Sequence, residues 1–247
     1  EVAEELAVHN KLLQEELELA HEMQRALLPG PLRPELASGV LEERPWLMAH
    51  RYLPTASLAG DFFKAYPLSD GRIGILICDV MGHGVRSALI AALLCGLIEE
   101  FEFERESPGM MMSRLNAGLN RVLGHCRADM FATACYVVVD PPNGQVTIAN
   151  AGHPLPYLVR RDGAEVVPLD DCRGPALGLF ATSNYQESAV EIDTDDLIIL
   201  YTDGISEVEE AGGGFFETHL PEALLRRLVQ NVEDVLDGVI HEARQFS

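Results

Sequence analysis

The sequence is poor in positive charge. Its 247 residues include 18 Lys and Arg against 39 Asp and Glu, which gives a net charge of -21 at pH 7. A surface of that sign repels nucleic acid and anionic lipid headgroups, so neither is an expected partner. Cations, and proteins with basic patches, are the partners that this charge favours.

Paired cysteines and long apolar runs are also lacking. The five cysteines include no CxxC pair and lie mostly in apolar segments, so we expect reduced, buried thiols in a cytoplasmic protein. The longest largely apolar run, 88–98, is too short to span a bilayer, and no signal peptide is present. The chain begins at Glu1 rather than Met, so a preceding sensor domain or membrane anchor stays open.

The usual nucleotide-binding loops are absent as well, because neither GxxxxGK[ST] nor a GxGxxG after a strand occurs. With 47% hydrophobic and 23% charged residues, the chain can still bury a sizeable core. No Ser/Gly-rich or Pro-rich linker divides it. We therefore predict one globular domain, residues 30–247, behind a helical extension, residues 1–29.

The N-terminal extension has the pattern of a long helix. Residues 1–28 contain neither Gly nor Pro, and a Pro-Gly-Pro stop follows at 29–31. Residues recur at alternating steps of four and three: Leu6, Asn10, Leu13, Leu17, Ala20, Gln24 and Leu27. This spacing is typical of a coiled-coil seam and predicts a parallel homodimer. The alternative is an amphipathic helix packed on its own domain.

Beyond Pro34 the pattern changes to short apolar segments with β-branched residues, which predict strands. The predicted strands are 47–53, 72–80, 130–140, 145–150, 156–161, 189–192 and 197–202, and the predicted helices are 85–103, 107–123 and 220–245. Asn143-Gly144 and the run 161–163 are hairpin-turn signals. Strands grouped into hairpins, with two consecutive helices among them, favour an α+β fold of antiparallel sheets covered by helices.

Three acids stand beside apolar segments. Asp79 and Asp203 each end an apolar strand, and Asp61 follows Gly60 and precedes two Phe. Taken singly, each Asp is better explained as a strand end or a turn cap. If they converge, each pair about 4 Å apart repels by roughly 4 kcal/mol at an effective dielectric near 20. A convergent cluster would therefore need a cation or a shared proton.

The segment after Asp79 favours the cation. Gly82 and Gly84 permit a sharp turn and a close backbone approach. The carbonyl of Val80 is then available beside the carboxylates, and hard divalent cations commonly take carbonyl ligands.

Five motifs, in order, resemble one known family. They are GDFF at 60–63, ICDVMGHGVRSALIAALL at 77–94, MFATACYVVVD at 130–140, NAGHPLPYL at 150–158 and LIILYTDGISE at 197–207. Together they resemble the bacterial SpoIIE-like branch of the metal-dependent, protein phosphatase 2C-like (PPM) superfamily. HEMQRALLPGP at 21–31 is similar to the linker helix that precedes such domains.

The resemblance implies a four-layer α-β-β-α sandwich of two mostly antiparallel sheets. It implies a site for two Mn²⁺ or Mg²⁺ ions, with Asp61, Asp79 and Asp203 as carboxylate ligands and Val80 as the carbonyl ligand. A water activated between the metals attacks phosphorus in such a site.

The implied function is a protein serine/threonine phosphatase of bacterial signalling. Its substrate would be a phosphorylated regulatory protein such as an anti-sigma-factor antagonist. The linker helix would carry the signal of an upstream sensor by changing the packing of the dimer.

The chain also departs from the family pattern. Ala59 and Lys64 replace the first Gly and the last Asp of the commoner GGDFYD, and we expect a lysine beside the metal edge to weaken cation binding or to contact phosphate. The family's closing DDxT strand, whose Asp is a further ligand, has no counterpart, because Asp195 and Asp196 precede the TDG strand.

Two explanations of the missing strand stay open. Truncation of a longer chain is the first, and a catalytically weak or inactive adaptor that binds a regulatory partner is the second. A metal-dependent phosphodiesterase or nuclease suits the acids but not the charge of -21.

Two histidines lie in these motifs. His83 is four residues after Asp79, whereas relatives outside this branch have a histidine two residues after the aspartate, so no catalytic role is transferred to it. We expect His83 and His153 to be structural turn residues.

Overall fold

The computed structural model describes residues 38–41, 44–53, 58–68, 71–101, 107–124, 130–210 and 212–247, together with positions 5, 6, 9, 11, 14–16, 18, 19, 21 and 22. The described positions between 5 and 22 are helical. Of the predicted coiled-coil seam only Leu6 is among them, and its side chain is exposed. The rest of the seam lies outside the described residues, so the dimer stays a prediction.

Eleven strands are present in the described part of the chain. They are β1 Ser38–Leu41, β2 Arg44–Leu47, β3 Phe62–Pro67, β4 Ile73–Val80, β5 Ala132–Asp140, β6 Gln145–Ala151, β7 Tyr157–Arg160, β8 Glu165–Pro168, β9 Arg173–Gly174, β10 Ser188–Glu191 and β11 Leu197–Ile199. A first sheet has the order β10-β6-β5-β4-β3, with the short β9 parallel to β6. A second sheet has the order β11-β7-β8, and β1 and β2 form a separate hairpin.

Beyond residue 22 the described α-helices are α1 Val85–Glu100, α2 Pro108–Leu123, α3 Asp203–Ser206, α4 Leu220–Leu225 and α5 Val232–Phe246. All except the short α3 lie on the outer faces of the two sheets. Leu94 of α1 and Leu115 of α2 share a core with Leu76 of the first sheet. Residues of α4 and α5 pack with β7 of the second sheet.

A third core fills the space between the sheets. It contains Val137 and Ile148 of the first sheet, with Ile198 of the second packed against them. The layers are therefore helix, sheet, sheet and helix, and the predicted α-β-β-α sandwich of mostly antiparallel sheets is confirmed. None of the helices in the described ranges has the length and apolar character needed to cross a bilayer.

The predicted turn at Asn143-Gly144 is confirmed. Gly144 adopts a φ of 61° in the turn between β5 and β6, where an L side chain would be strained. Ser107 caps α2, because its hydroxyl accepts a 3.2 Å hydrogen bond from the Met110 amide, and Pro108 occupies the first turn.

The predicted strand at 47–53 is wrong beyond its first residue. The strand ends at Leu47, and the following segment is held by side chains rather than by a ladder. The Arg51 guanidinium donates to both carboxylate oxygens of Asp237 on α5, at 2.7 and 2.9 Å, and also pairs with Glu233. These ion pairs tie the segment to the last helix instead of to a sheet.

The predicted helix at 220–245 is two helices. The chain leaves the helical conformation after Leu225, and Asn231 starts α5 by accepting a 2.9 Å hydrogen bond from the Asp234 amide. The strand β3 was not predicted, because FFKAYP contains no β-branched residue. Its place is set by the six-residue register with β4.

Candidate metal centre

Asp79 stands near the end of a central strand. It pairs with Thr133 across the β4–β5 ladder. Side chains alternate along a strand, and Ile77, two residues earlier, packs in the core between the sheets. Because directly opposed residues share one face of a sheet, Asp79 and Thr133 both point into the space between the sheets.

Asp61 reaches the same space from the neighbouring strand. The β3–β4 register pairs Phe62 with Cys78, so the residues just before β3 lie alongside the end of β4. The Tyr52 hydroxyl donates a 3.2 Å hydrogen bond to the backbone carbonyl of Asp61. The segment after β2 thus helps to hold Asp61 in place.

Gly60 brings the carbonyl of Val80 to this segment. A Cβ at Gly60 would lie 2.5 Å from the Val80 carbonyl oxygen and 3.2 Å from the Ser87 Cβ, so this close approach requires glycine. The Val80 oxygen therefore faces the residue next to Asp61. This is a suitable place for a carbonyl ligand of a hard cation, although the ligand role itself stays a prediction.

Asp203 arrives from the second sheet. It is the first residue of the short helix α3, which follows β11. The Glu207 amide donates to the Asp203 carbonyl at 2.8 Å, and the Ile205 amide donates to the Thr202 carbonyl at 3.1 Å. These bonds close the turn that holds Asp203 at the same end of the sandwich as Asp79.

The three carboxylates meet around Asp79. Its carboxyl group lies within interaction distance of those of Asp61 and Asp203. Burial and these two neighbours raise the pKa of Asp79 to about 8, and burial followed by the charge of Asp61 raises the pKa of Asp203. A pKa raised in this way indicates repulsion among adjacent carboxylates, which either a proton or a cation would relieve.

These side chains do not yet form a coordination shell. Within the described ranges, no group of three or more His, Cys, Asp and Glu side chains is arranged to hold a metal ion. Hard divalent ions take carboxylate, carbonyl and water oxygens, and the three acids with Val80 supply the first two kinds. The chemistry of the donors fits Mg²⁺ or Mn²⁺, but the side chains must move to enclose an ion.

The turn after β4 has the glycine geometry that the sequence predicts. Gly82 and Gly84 have φ values of 82° and 88°, and the Gly84 amide donates to the Leu58 carbonyl at 3.3 Å. His83 between them is exposed on the wall of the same cavity as Asp79. His153, in contrast, is 5% exposed, and its ring Nδ1 lies 2.9 Å from the Thr133 hydroxyl.

Lys64 does not stand at the metal edge. Alternation along β3 puts it on the face of Phe62 and Tyr66, which pack in the core under α1 and α2. Its Nζ lies 2.6 Å from Glu99 Oε1 of α1. The expectation that Lys64 weakens cation binding or contacts phosphate is therefore wrong.

The acids line one end of a cavity of about 1840 Å³. Its walls continue between the sheets to Ile75 of β4, Ile198 of β11 and Val239 of α5. In the described part of the chain, β11 pairs with β7 only, so its second edge borders this cavity.

Two polar neighbours of the acids were not predicted. Thr133 lies within an apolar strand, and Tyr52 lies in a segment predicted to be a strand. Alternation in ATACYVVVD puts Thr133 on the face of Cys135 and Val137. Its position beside Asp79 follows only from the β4–β5 register, which the sequence does not state.

Comparisons with known proteins agree with this fold. The model of the family described as Stage II sporulation protein E (SpoIIE) matches residues 69–247. Phosphoserine phosphatase RsbP of Bacillus subtilis is 31% identical over 193 residues, which are 78% of this chain and 45% of RsbP. Protein IcfG of Synechocystis is 27% identical over 252 residues, 92% of this chain and 38% of that protein. The chain thus spans less than half the length of these two relatives.

Two solved structures have the same fold. The SiaA-PP2C domain of Pseudomonas aeruginosa superposes with a TM-score of 0.77 at 22% identity, covering 97% of this chain and 92% of that one. The phosphatase domain structure of SpoIIE from Bacillus subtilis gives a TM-score of 0.60 at 16% identity, covering 77% of this chain and 55% of that one.

The first prediction concerns Gly60. In Gly60→Ala the new methyl group displaces the Val80 carbonyl, and we expect a loss of about 1–3 kcal/mol of unfolding free energy together with weaker Mn²⁺ binding by calorimetry. Gly163→Ala is the matched control, because no atom lies within 4 Å of a Cβ there. Unchanged Mn²⁺ affinity in Gly60→Ala would contradict the assignment of the Val80 carbonyl.

The second prediction concerns Lys64. Lys64→Gln removes the ion pair with Glu99, whose side chain is 57% exposed. The free energy of unfolding in urea should therefore change by no more than about 1 kcal/mol. The Mn²⁺ affinity should not change, because Lys64 lies on the other face of the sheet from Asp79. A several-fold gain in affinity would show that Lys64 acts on the metal centre after all.

Proposed function

Because the chain belongs to the SpoIIE family, a bacterial branch of the metal-dependent PPM phosphatase domains, we propose that it hydrolyses phosphoserine or phosphothreonine in a partner protein. The observation that carries the proposal is the contact of Asp79 with both Asp61 and Asp203 between the sheets. Neutral side chains would stabilise the fold better than these acids, because the burial of adjacent carboxylates opposes folding. The cluster is therefore better explained by a function than by stability.

The proposed cofactor is a pair of Mn²⁺ or Mg²⁺ ions. We assign Asp61, Asp79, Asp203 and the Val80 carbonyl as the protein ligands. When bound, such ions lower the pKa of a water molecule and neutralise phosphoryl oxygens. The protein's own part is to bring four oxygen ligands from the two sheets to the same end of the sandwich.

Water is the proposed nucleophile rather than a thiol. Cys78 precedes Asp79 but lies on the helix-facing side of β4, fully buried, and burial raises the pKa of its thiol well above the usual range. Cys95, Cys135 and Cys172 are also buried, free thiols. None of the four cysteines in the described residues is suited to attack a phosphate.

The proposed substrate is a phosphorylated regulatory protein, such as an anti-sigma-factor antagonist. The similarity to RsbP supports this class. A cytoplasmic location is proposed from the reduced cysteines. We further propose an upstream sensor, because the relatives are longer than this chain. We also propose a homodimer through the helix at 1–29, because its apolar residues have the spacing of a coiled-coil seam.

We also propose that β11 takes a further strand on its second edge, and that this strand brings a fourth acidic ligand to the cluster. The unpaired edge of β11 in the described residues and the adjoining cavity support it. Unpaired strand edges beside apolar surface are normally covered.

A non-catalytic adaptor is the second candidate function. The observation that favours it is the lack, among the described residues, of side chains already arranged to hold a metal. An adaptor would bind a regulatory partner without needing the ion. The two functions differ in whether Mn²⁺ binds at the three acids.

The third prediction separates them. Asp79→Asn should lower Mn²⁺-dependent hydrolysis of a phosphoserine peptide by more than about a hundredfold, because it removes a charged ligand. It should also abolish the rise in Tm that Mn²⁺ causes in the natural sequence. Without metal, its Tm at neutral pH should be equal or higher, since Asp79 with its raised pKa must take up a proton on folding and a neutral amide need not.

Asp162→Asn is the matched control, because Asp162 is exposed in the β7–β8 turn. It should keep the activity and the Mn²⁺-induced rise in Tm. A natural chain that binds its partner but shows no Mn²⁺-dependent change in Tm would favour the adaptor.

A further inference from the structure

His153 occupies the connection between the two sheets. The chain leaves the first sheet at the end of β6, passes through residues 152–156 and enters the second sheet at β7. Asn150 holds this connection with two bonds: its Oδ1 accepts from the His153 amide at 2.8 Å, and its Nδ2 donates to the His153 carbonyl at 3.0 Å. Both side chains are buried. The imidazole is therefore held in one place.

One side of the ring contacts the first sheet. His153 Nδ1 lies 2.9 Å from the Thr133 hydroxyl, and Thr133 is the residue directly opposite Asp79. Opposed side chains on one face of a sheet have Cβ atoms about 4.5–5.5 Å apart. A chain of neighbours thus runs from the imidazole through Thr133 to the central carboxylate.

The other side of the ring is directed to the second sheet. Ile199 pairs with Tyr157, and this antiparallel register, continued past the strand ends, places residues 201–203 alongside 153–155. Burial lowers the pKa of His153 to about 4, and the nearby Tyr201 backbone raises it in part. Nε2 nevertheless makes no hydrogen bond of ordinary geometry with any residue that the structure describes.

A buried, unsatisfied nitrogen costs free energy, so a residue that served only the turn would be more stable as an apolar side chain. Asn150 and the positive φ of Gly152 already define the turn. The turn alone therefore does not explain the ring nitrogens, which lie between Thr133 of β5 and the segment that leads to Asp203.

We propose that His153 and Thr133 are positioning residues of the metal centre: the imidazole links Thr133, beside Asp79, to the Tyr201–Asp203 segment, and so sets the separation of the two carboxylates across the sheets. The inference rests on the proposed metal-dependent function. It changes the sequence-based expectation for His153 from a turn residue to a link between the sheets. Neither residue contacts the reacting atoms in this assignment.

The experiment compares a hydroxyl with a methyl group at position 133. Thr133→Val replaces the hydroxyl by a methyl group and keeps the shape of the side chain, whereas Thr133→Ser keeps the hydroxyl. Thr147→Val is the matched control, because Thr147 lies on β6 of the same sheet, on the face of Ala149 under the helices. Mn²⁺ affinity is measured by calorimetry on the whole chain, and kcat and KM are measured with a phosphoserine peptide.

We expect Thr133→Val to lower Mn²⁺ affinity by about 10–100-fold, as the loss of outer-shell partners of metal ligands does. The value of kcat should fall while KM for the peptide is unchanged. Thr133→Ser should restore both, and Thr147→Val should match the natural chain. His153→Asn, which keeps a polar group near the Nδ1 position, should bind Mn²⁺ more tightly than His153→Ala.

If a folded Thr133→Val variant has the same Mn²⁺ affinity and kcat as the natural chain, the inference is overturned and the proposed function stands. A loss of metal-free Tm in Thr133→Val, with the same Mn²⁺ affinity per folded molecule, would show a merely structural role and overturn it too. If the natural chain itself binds no Mn²⁺, the proposed function fails first, and the inference fails with it.

Discussion

The mutual repulsion of Asp61, Asp79 and Asp203 is the constraint on which the rest of the site depends. Two of the carboxylates come from adjacent strands and the third from the other sheet, and each is partly buried. Burial and the two neighbouring acids raise the pKa of Asp79 to about 8. A divalent ion would offset the repulsion with a larger charge than a single proton carries, so the cluster favours cations.

The scaffold supports this cluster through backbone approach more than through side-chain contacts. Because residue 60 is a glycine, the Val80 carbonyl at the end of β4 packs directly against the segment before Asp61. Gly82 and Gly84 turn the chain sharply from β4 into α1, and Tyr52 bonds the Asp61 carbonyl. The apolar cores above, below and between the sheets then keep the strand ends in register. The backbone around the site is thus closely packed, whereas its carboxylates are not yet arranged as a coordination shell.

Much of this was readable from the sequence, and the limits are physical. Asp79 and Asp203 stood out because each ends an apolar strand, and the antiparallel sheets were visible in hairpin turns such as Asn143-Gly144. Lys64 was misplaced because β3 has no β-branched residue, so its alternation could not be assigned. Thr133 and the break before Asn231 depend on strand register and on a local cap, which are properties of the folded chain.

Anomalous diffraction from crystals of the chain soaked in Mn²⁺ tests directly whether the three acids bind metal. We expect manganese peaks between the ends of β4 and β11, within about 2.0–2.6 Å of carboxylate oxygens of Asp79 and of Asp61 or Asp203. A well-ordered cluster in which Asp79 still lies against Asp61 and Asp203, with no manganese peak beside it, would show that these acids are not metal ligands.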